Sequence, residues 1–411
     1  MPPPLFSWKR VALFLAVLGP GIITATVGND ASGITTYSLA GADFGYGLLW
    51  TLIPILITLA LVQEMAVRMG VVTGQGLTDL IREHFGVRIT FFMIIGIVIA
   101  NTVTTVAEFS GIAAAAHLLH LPSWLVVISC GALIWILIFR VEYQTLERVF
   151  LFMVLFYLAY VVSGFMAHPD WGEVVTGLTT PTITFTAGYL LLLIGVIGTT
   201  ITPWMQIYLQ SSVVEKGIQE NELRYARIDS LLGVIITVII AFFIIVATAS
   251  TLFKHGIHIG TAEDAALALA PFAGNFSTIL FGVGLFAAGL LGAFILPLAT
   301  AFTVCEGIGW ESGVNKRFKS APQFYIIFTV LILLGIIIPL LPNAPLIDLM
   351  LASQVINGIL LPVILISMIK LVNNKRLMGR YTNPGWYNVI IWAVAIMIIL
   401  ATIALVISTF I

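Results

Sequence analysis

The sequence predicts an all-α polytopic membrane protein of about eleven transmembrane helices, and three observations support this fold class. Hydrophobic residues make up 60% of the 411 residues, whereas charged residues make up only 9%. The apolar residues form windows long enough to cross a hydrocarbon core of about 30 Å as helices. These windows lack the alternation of a β-barrel, and lipid admits only helices or closed barrels.

Short polar segments separate the apolar windows. The first window has no small-residue cleavage site, so we expect a permanent helix rather than a removable signal peptide. We expect one transmembrane domain over residues 1–411. The predicted spans are residues 10–42, 46–68, 89–119, 122–140, 149–167, 186–212, 229–253, 273–306, 322–341, 345–371 and 386–410.

The basic residues predict the orientation. With the N-terminus in the cytoplasm, eleven spans place seventeen of the eighteen Lys and Arg residues on the cytoplasmic side, and only Lys254 falls outside. We therefore expect a multi-pass protein of the cell membrane with a cytoplasmic N-terminus. The seventeen are Lys9, Arg10, Arg68, Arg82, Arg88, Arg140, Arg148, Lys216, Arg224, Arg227, Lys316, Arg317, Lys319, Lys370, Lys375, Arg376 and Arg380.

Several classes of function are disfavoured. A net charge of −1 argues against a nucleic-acid partner. Cys130 and Cys305 lie far apart without metal-ligand spacing and are interpreted as packing residues. An intramembrane metalloprotease needs a motif such as His-Glu-x-x-His, and no span contains one, so we expect neither an enzyme nor a cofactor. The sequence leaves the oligomeric state open.

Helix-breaking residues interrupt the first and sixth spans at mid-membrane depth. The first contains Gly28-Asn29-Asp30-Ala31-Ser32-Gly33, and the sixth contains Gly198-Thr199-Thr200-Ile201-Thr202-Pro203-Trp204-Met205-Gln206. Glycine lowers the cost of leaving helical geometry, and proline removes an amide donor. The alternative is a glycine packing seam in one helix and a simple proline kink in the other.

Two broken helices five spans apart are typical of an inverted repeat of five plus five helices. The first repeat then covers about residues 10–167 and the second about residues 186–371, and an extra helix follows at about 386–410. Unwound backbone at this depth must line a polar cavity or be buried in protein.

Asp30 points to a cation at these breaks. A carboxylate at the bilayer centre is costly unless it is paired, and no Lys or Arg lies at comparable depth. Backbone carbonyls of residues 28–33 and 198–202, with the hydroxyls of Ser32, Thr199 and Thr202, would supply further oxygen ligands.

Other polar residues at depth carry two interpretations each. Glu108 is placed in the ion pathway or is a protonated carboxyl bonded within the bundle. Gln354, with Asn357 one turn on, contacts the ion or joins helices by hydrogen bonds. Glu64 is expected to pair with Arg68 four residues on. Glu306 is expected to be structural or gating.

At these residues the chain resembles the Nramp family of divalent metal transporters. The resemblance implies an amino-acid-transporter-like fold of eleven or twelve helices with an inverted repeat, and transport of divalent cations by alternating access. The matching motifs are Gly19-Pro20, Gly45-Tyr46-Gly47-Leu48-Leu49-Trp50, Thr73-Gly74, Leu77-Thr78-Asp79-Leu80-Ile81-Arg82-Glu83, Ala107-Glu108-Phe109, His168-Pro169-Asp170-Trp171, Pro203, Tyr208-Leu209-Gln210-Ser211 and Ser353-Gln354-Val355.

The departures from the family pattern concern the ion ligands. Where the family has Asp-Pro-Gly-Asn, this chain has Asp30-Ala31-Ser32-Gly33, and Thr202-Pro203-Trp204 replaces Met-Pro-His. Loss of a soft thioether leaves an all-oxygen site that admits hard cations. The sequence is most similar to the Nramp-related magnesium transporters, so we predict Mg²⁺ uptake with Mn²⁺ tolerated. Alternatively, Met205 turns inward and restores a sulfur ligand.

The predicted site therefore has two sets of residues. The metal-binding residues are Asp30, Gly33, Thr199, Thr202, Gln206 and Gln354, and the ion-pathway residues are Glu108, Ser32, Trp204 and Asn357.

The proton route implied by the family is absent here. Trp204, Gln210 and Thr105 stand where the family has titratable groups, and the six histidines lie in loops or at span ends. We therefore predict transport without proton coupling. The alternatives are a proton-coupled Mn²⁺ or Fe²⁺ transporter and a metal sensor that transports nothing.

Overall fold

The computed structural model describes residues 19–140, 157–269, 274–314 and 316–410, and every regular element in that part of the chain is helical. The α-helices are α1 Pro20–Thr26, α2 Ala31–Phe44, α3 Leu52–Thr73, α4 Leu77–Leu118, α5 Ser123–Arg140, α6 Leu158–Met166, α7 Trp171–Thr179, α8 Ala187–Thr200, α9 Pro203–Glu215, α10 Leu223–Thr251, α11 Ala262–Ala266, α12 Ser277–Ile308, α13 Pro322–Ile337, α14 Leu346–Val372, α15 Lys375–Met378 and α16 Gly385–Phe410.

The described parts of the predicted spans overlap observed helices. In the described residues, eight helices are long and apolar enough to cross a membrane, and Ser123–Phe139 forms a shorter apolar helix. Parts of the predicted spans 10–42, 149–167 and 273–306 lie outside the described residues, as do Lys9, Arg10 and Arg148. The polytopic α fold is confirmed.

One predicted boundary is wrong. The helix expected over residues 89–119 begins at Leu77, and Gly86 interrupts it with φ 80°. Charged residues such as Asp79 and Arg82 hide this first segment from a hydropathy pattern, although their ion pair at 3.0 Å suits a helix surface.

The first break is formed as predicted. Helix α1 ends at Thr26, and one 3₁₀ turn, Val27–Asn29, follows it. Asp30 is extended, with φ −61° and ψ −178°, before α2 begins. The carboxylate therefore sits where the backbone leaves helical geometry.

The second break follows Thr200, where α8 ends. Ile201 and Thr202 leave the helical region, and α9 begins at Pro203. Proline suits this first position because its missing amide would have had no helical partner.

Small residues bring the broken helices close to their neighbours. A methyl group on Gly21 of α1 would lie 2.4 Å from the Cα of Ser230 on α10. On α8, a methyl group on Gly198 would lie 2.0 Å from the carbonyl oxygen of Gln354 on α14. Close backbone contact of this kind is typical of helix pairs in membranes.

The predicted pair between Glu64 and Arg68 is confirmed at 2.9 Å and belongs to a larger cluster. Glu64 also pairs with Arg227 at 2.7 Å and accepts a hydrogen bond from the hydroxyl of Tyr387 at 2.8 Å. The cluster joins α3, α10 and the last helix, α16.

Candidate metal site at the helix breaks

Asp30 caps the second half of the first span. Its Oδ1 accepts hydrogen bonds from the backbone amide of Gly33 at 2.7 Å and from the hydroxyl of Ser32 at 3.1 Å. A side-chain acceptor here satisfies an amide that the helix leaves unpaired. Because the side chain is only 2% exposed, Asp30 is a buried carboxylate at the positive end of α2.

Glu108 reaches the same helix end from α4. Its carboxylate oxygens accept hydrogen bonds from the amides of Ala31 at 3.0 Å and Ser32 at 3.4 Å, and from the hydroxyl of Ser32. A methyl group on Gly292 would lie 2.4 Å from Glu108 Oε2, so a larger residue at position 292 would force this carboxylate to move. The structure thus places Glu108 at the break itself.

Ser32 connects the two acids. Its hydroxyl contacts an oxygen of Asp30 and an oxygen of Glu108, yet it carries a single proton to donate. The carboxylates of Asp30 and Glu108 are therefore close neighbours on either side of one hydroxyl.

Oxygen atoms also converge beside Gly33. A methyl group there would lie 2.5 Å from the carbonyl oxygen of Gly28, 2.8 Å from Thr199 Oγ1 and 3.2 Å from Asp30 Oδ1. The Thr199 hydroxyl donates to that carbonyl at 3.2 Å, which joins the two broken helices. Any other side chain at Gly33 would therefore collide with this group of oxygens.

No basic side chain neutralises this site among the residues described. The ion pairs in that part of the chain involve neither Asp30 nor Glu108. Two buried carboxylates without a basic partner are costly in a membrane protein, and a bound cation relieves that cost.

The next group of predicted residues begins the second half of the sixth span. Thr202, Trp204 and Gln206 are each at most 1% exposed. The Thr202 hydroxyl, the Trp204 Nε1 and both polar atoms of Gln206 have no hydrogen-bond partner within the described residues. These groups are available to water or an ion, but no hydrogen bond connects them to Asp30 or Glu108.

Gln354 and Asn357 form a separate polar pair on α14. Asn357 Nδ2 donates to Gln354 Oε1 at 3.3 Å and to the hydroxyl of Thr104 on α4 at 3.1 Å. The latter bond joins two helices. In the described part of the chain, Gln354 Nε2 and Asn357 Oδ1 have no partner.

Sequence reasoning missed three polar contacts around the breaks. Asn29 Nδ2 donates to the backbone oxygen of Thr237 at 3.2 Å, and the Tyr37 hydroxyl lies 2.6 Å from that of Thr200. Gln63 donates to the sulfur of Met205. Their sequence signal was a polar side chain within an apolar span.

The available donors suit a hard cation. The described residues contain no group of three or more His, Cys, Asp or Glu side chains placed to hold a metal ion. Carboxylate, carbonyl and hydroxyl oxygens surround the break instead, and such ligands favour Mg²⁺, Ca²⁺ or Mn²⁺.

The comparison with known proteins identifies the family. The Nramp model, described as natural resistance-associated macrophage protein-like, matches residues 21–408. The chain belongs to the Nramp family. This Nramp protein is 28% identical over 409 residues to the divalent metal cation transporter MntH of Bacillus subtilis strain 168, covering 96% of this chain and 93% of the relative. It is 30% identical over 399 residues to MntH of Vibrio campbellii, covering 93% and 89% respectively.

Solved structures support the fold. A manganese transporter from Eremococcus coleocola superposes with a TM-score of 0.80 at 21% identity, covering 99% of this chain and 88% of that chain. Mhp1, a nucleobase-cation-symport-1 family transporter, superposes with a TM-score of 0.56 at 16% identity, covering 95% and 91%. The predicted family and inverted-repeat fold are confirmed. This Nramp protein is a multi-pass membrane transporter and not an enzyme, and its family membership supports transport of a divalent metal ion.

Proposed function

We propose that this transporter carries Mg²⁺ into the cell by alternating access and without proton coupling. Asp30 binds the ion with oxygen ligands from the unwound segments, and Glu108 and Ser32 form its immediate surroundings. The observation that carries the proposal is the pair of buried carboxylates bonded to one hydroxyl at the first break. A dication neutralises that charge, and its ligands there are oxygens.

The unpartnered polar atoms support a partly hydrated ion. Thr202, Gln206 and Gln354 all have buried side-chain atoms that lack partners among the described residues. Because Mg²⁺ dehydrates reluctantly, it usually keeps several waters, and these waters would be the missing partners. Gln206 and Gln354 therefore contact the ion directly or through water.

The absence of a titratable group beside Pro203 supports uncoupled transport. Trp204 follows that proline, and an indole does not exchange protons near neutral pH. The driving force is then the ion gradient together with the membrane potential, worth about 2.3 kcal/mol per charge per 100 mV. We place the N-terminus in the cytoplasm, as the distribution of Lys and Arg supports.

Uptake into proteoliposomes tests the proposal. We expect Mg²⁺ entry that rises with an inside-negative potential and is accompanied by no internal acidification. Asp30→Asn should abolish uptake. Asp170→Asn is the matched control, because Asp170 caps α7 with a 2.8 Å bond to Gly172 but lies on an exposed loop.

The same vesicles test the alternatives. The main alternative is a proton-coupled Mn²⁺ transporter, and the Eremococcus coleocola neighbour is named as a manganese transporter. Mn²⁺ uptake that resists excess Mg²⁺ and acidifies the vesicles would establish that alternative. Metal binding that depends on Asp30 without any flux would instead indicate a sensor.

A further inference from the structure

Met205 places a sulfur atom close to the first break. A methyl group on Gly28 would lie 3.3 Å from the Met205 Cε and 3.3 Å from the backbone oxygen of Thr199. The end of the thioether therefore lies beside Gly28, whose carbonyl oxygen accepts a hydrogen bond from the Thr199 hydroxyl. Methionine has three rotatable side-chain bonds, so its sulfur can turn within such a space.

A buried glutamine holds this sulfur. Gln63 Nε2, on α3, donates a hydrogen bond to Met205 Sδ at 3.1 Å. The hydroxyl of Ser230, on α10, donates to Gln63 Oε1 at 3.1 Å and fixes the orientation of the amide. Gln63 and Met205 are both 0% exposed, so solvent does not compete for these bonds.

Packing alone does not call for a glutamine at this position. A leucine fills a similar volume without burying an amide, whereas a buried amide is tolerated only when its hydrogen bonds are made. Turning the sulfur toward the break would break its bond to Gln63 and leave a buried N–H without a partner. The hydrogen bond from the amide occupies one of the two lone pairs of the sulfur and favours the side-chain orientation that points this sulfur toward Gln63 rather than toward an ion.

We propose that Gln63 is a specificity-determining residue that keeps the Met205 thioether out of the ion site. This inference deepens the proposed Mg²⁺ function and rests on it. A thioether ligand favours soft cations such as Cd²⁺, whereas Mg²⁺ requires oxygen ligands. By engaging the sulfur, Gln63 leaves the ion with oxygens only and disfavours soft metals.

Titration of Cd²⁺ and Mg²⁺ into the purified full-length protein tests the inference. In Gln63→Leu we expect Cd²⁺ affinity to rise about tenfold, the scale of one hydrogen bond, with little change in Mg²⁺ affinity. The double variant Gln63→Leu/Met205→Leu should return Cd²⁺ affinity to the original value. X-ray absorption at the cadmium K edge should show a sulfur neighbour in the single variant but not in the double variant.

Two further variants keep the test decisive. Ser230→Ala removes the hydrogen bond that orients the Gln63 amide but keeps Gln63, so it should raise Cd²⁺ affinity by a smaller factor. This variant replaces Gln63→Leu in the test if Gln63→Leu does not fold. Met205→Leu alone should leave Cd²⁺ affinity unchanged. A lower Cd²⁺ affinity in Met205→Leu would show that the sulfur already binds the ion and would overturn the inference. An unchanged Cd²⁺ affinity in folded Gln63→Leu would also overturn it.

Failure of the inference is separable from failure of the proposed function. Absence of Mg²⁺ uptake by the unmodified protein in vesicles would refute magnesium transport. The cadmium titrations report only on the orientation of the sulfur and would still be interpretable.

Discussion

Gly292→Ala should disable the site by displacing Glu108. The added methyl would lie 2.4 Å from Glu108 Oε2 and 2.7 Å from its Cδ, so the carboxylate must move by about 1 Å to reach ordinary van der Waals contact. A shift of that size along the N–H···O line would lengthen the 3.0 Å bond from the Ala31 amide to about 4 Å, beyond hydrogen-bond range. Bonds to charged groups contribute about 1.5–3 kcal/mol each, so losing this bond costs about 1.5–3 kcal/mol at the site.

The greater helix propensity of alanine, about 1 kcal/mol over glycine in a helix interior, stabilises the folded protein with or without the ion and does not offset this loss at the site. We expect uptake at subsaturating Mg²⁺ to fall by about tenfold to a hundredfold. This fall is measured as Mg²⁺ uptake into vesicles per amount of reconstituted protein. The control is Gly284→Ala on the same helix, where a methyl group would meet no atom within 4 Å. Equal uptake by the two variants would refute the assigned role of Glu108.

Three other substitutions test separate contacts. Asp229 accepts hydrogen bonds from two amides at the start of α1, at 3.0 and 2.7 Å. Asp229→Ala removes this acceptor and should lower the free energy of unfolding, measured by thermal unfolding, by about 2 kcal/mol, whereas Asp229→Asn should lower it less. Gly198→Ala would force α8 and α14 apart and should lower the yield of folded protein in size-exclusion chromatography, whereas Gly188→Ala, with its nearest atom at 3.9 Å, should not. Ser32→Ala should weaken Mg²⁺ binding in calorimetric titration, while Ser38→Ala, whose buried hydroxyl has no partner in the described chain, should not.

The fold and both breaks could be predicted because their signals are local. Apolar windows reveal spans wherever they are uninterrupted, and Pro203 and the glycines around Asp30 mark positions where helix geometry fails. The start of α4 could not be predicted in this way, because Asp79 and Arg82 interrupt the apolar pattern within a segment that is helical.

The contacts that build the site could not be predicted from one sequence. Ser32 and Glu108 are separated by 76 residues, and nothing in either segment specifies that they meet. That meeting depends on Gly292, whose missing side chain makes room for the carboxylate but looks like ordinary glycine in an apolar helix. Likewise, the sequence leaves open whether the Met205 sulfur faces the ion, and the hydrogen bond from Gln63 shows where this sulfur points.

Charge balance links the geometry of the break to the valence of its ion. A helix N-terminus contributes about half a positive charge, and α2 presents its N-terminus to both Asp30 and Glu108. When both carboxylates are ionised, the site carries about −1.5 charges before an ion binds. A monovalent cation leaves about half a negative charge in a low-dielectric interior, and a divalent cation leaves about half a positive charge that nearby carbonyl dipoles from Gly28 and Thr199 oppose. The dication also gains twice the Coulomb attraction to each acid. Under the proposed function, charge would therefore favour a divalent over a monovalent ion, and the kind of ligand atom would distinguish one divalent ion from another.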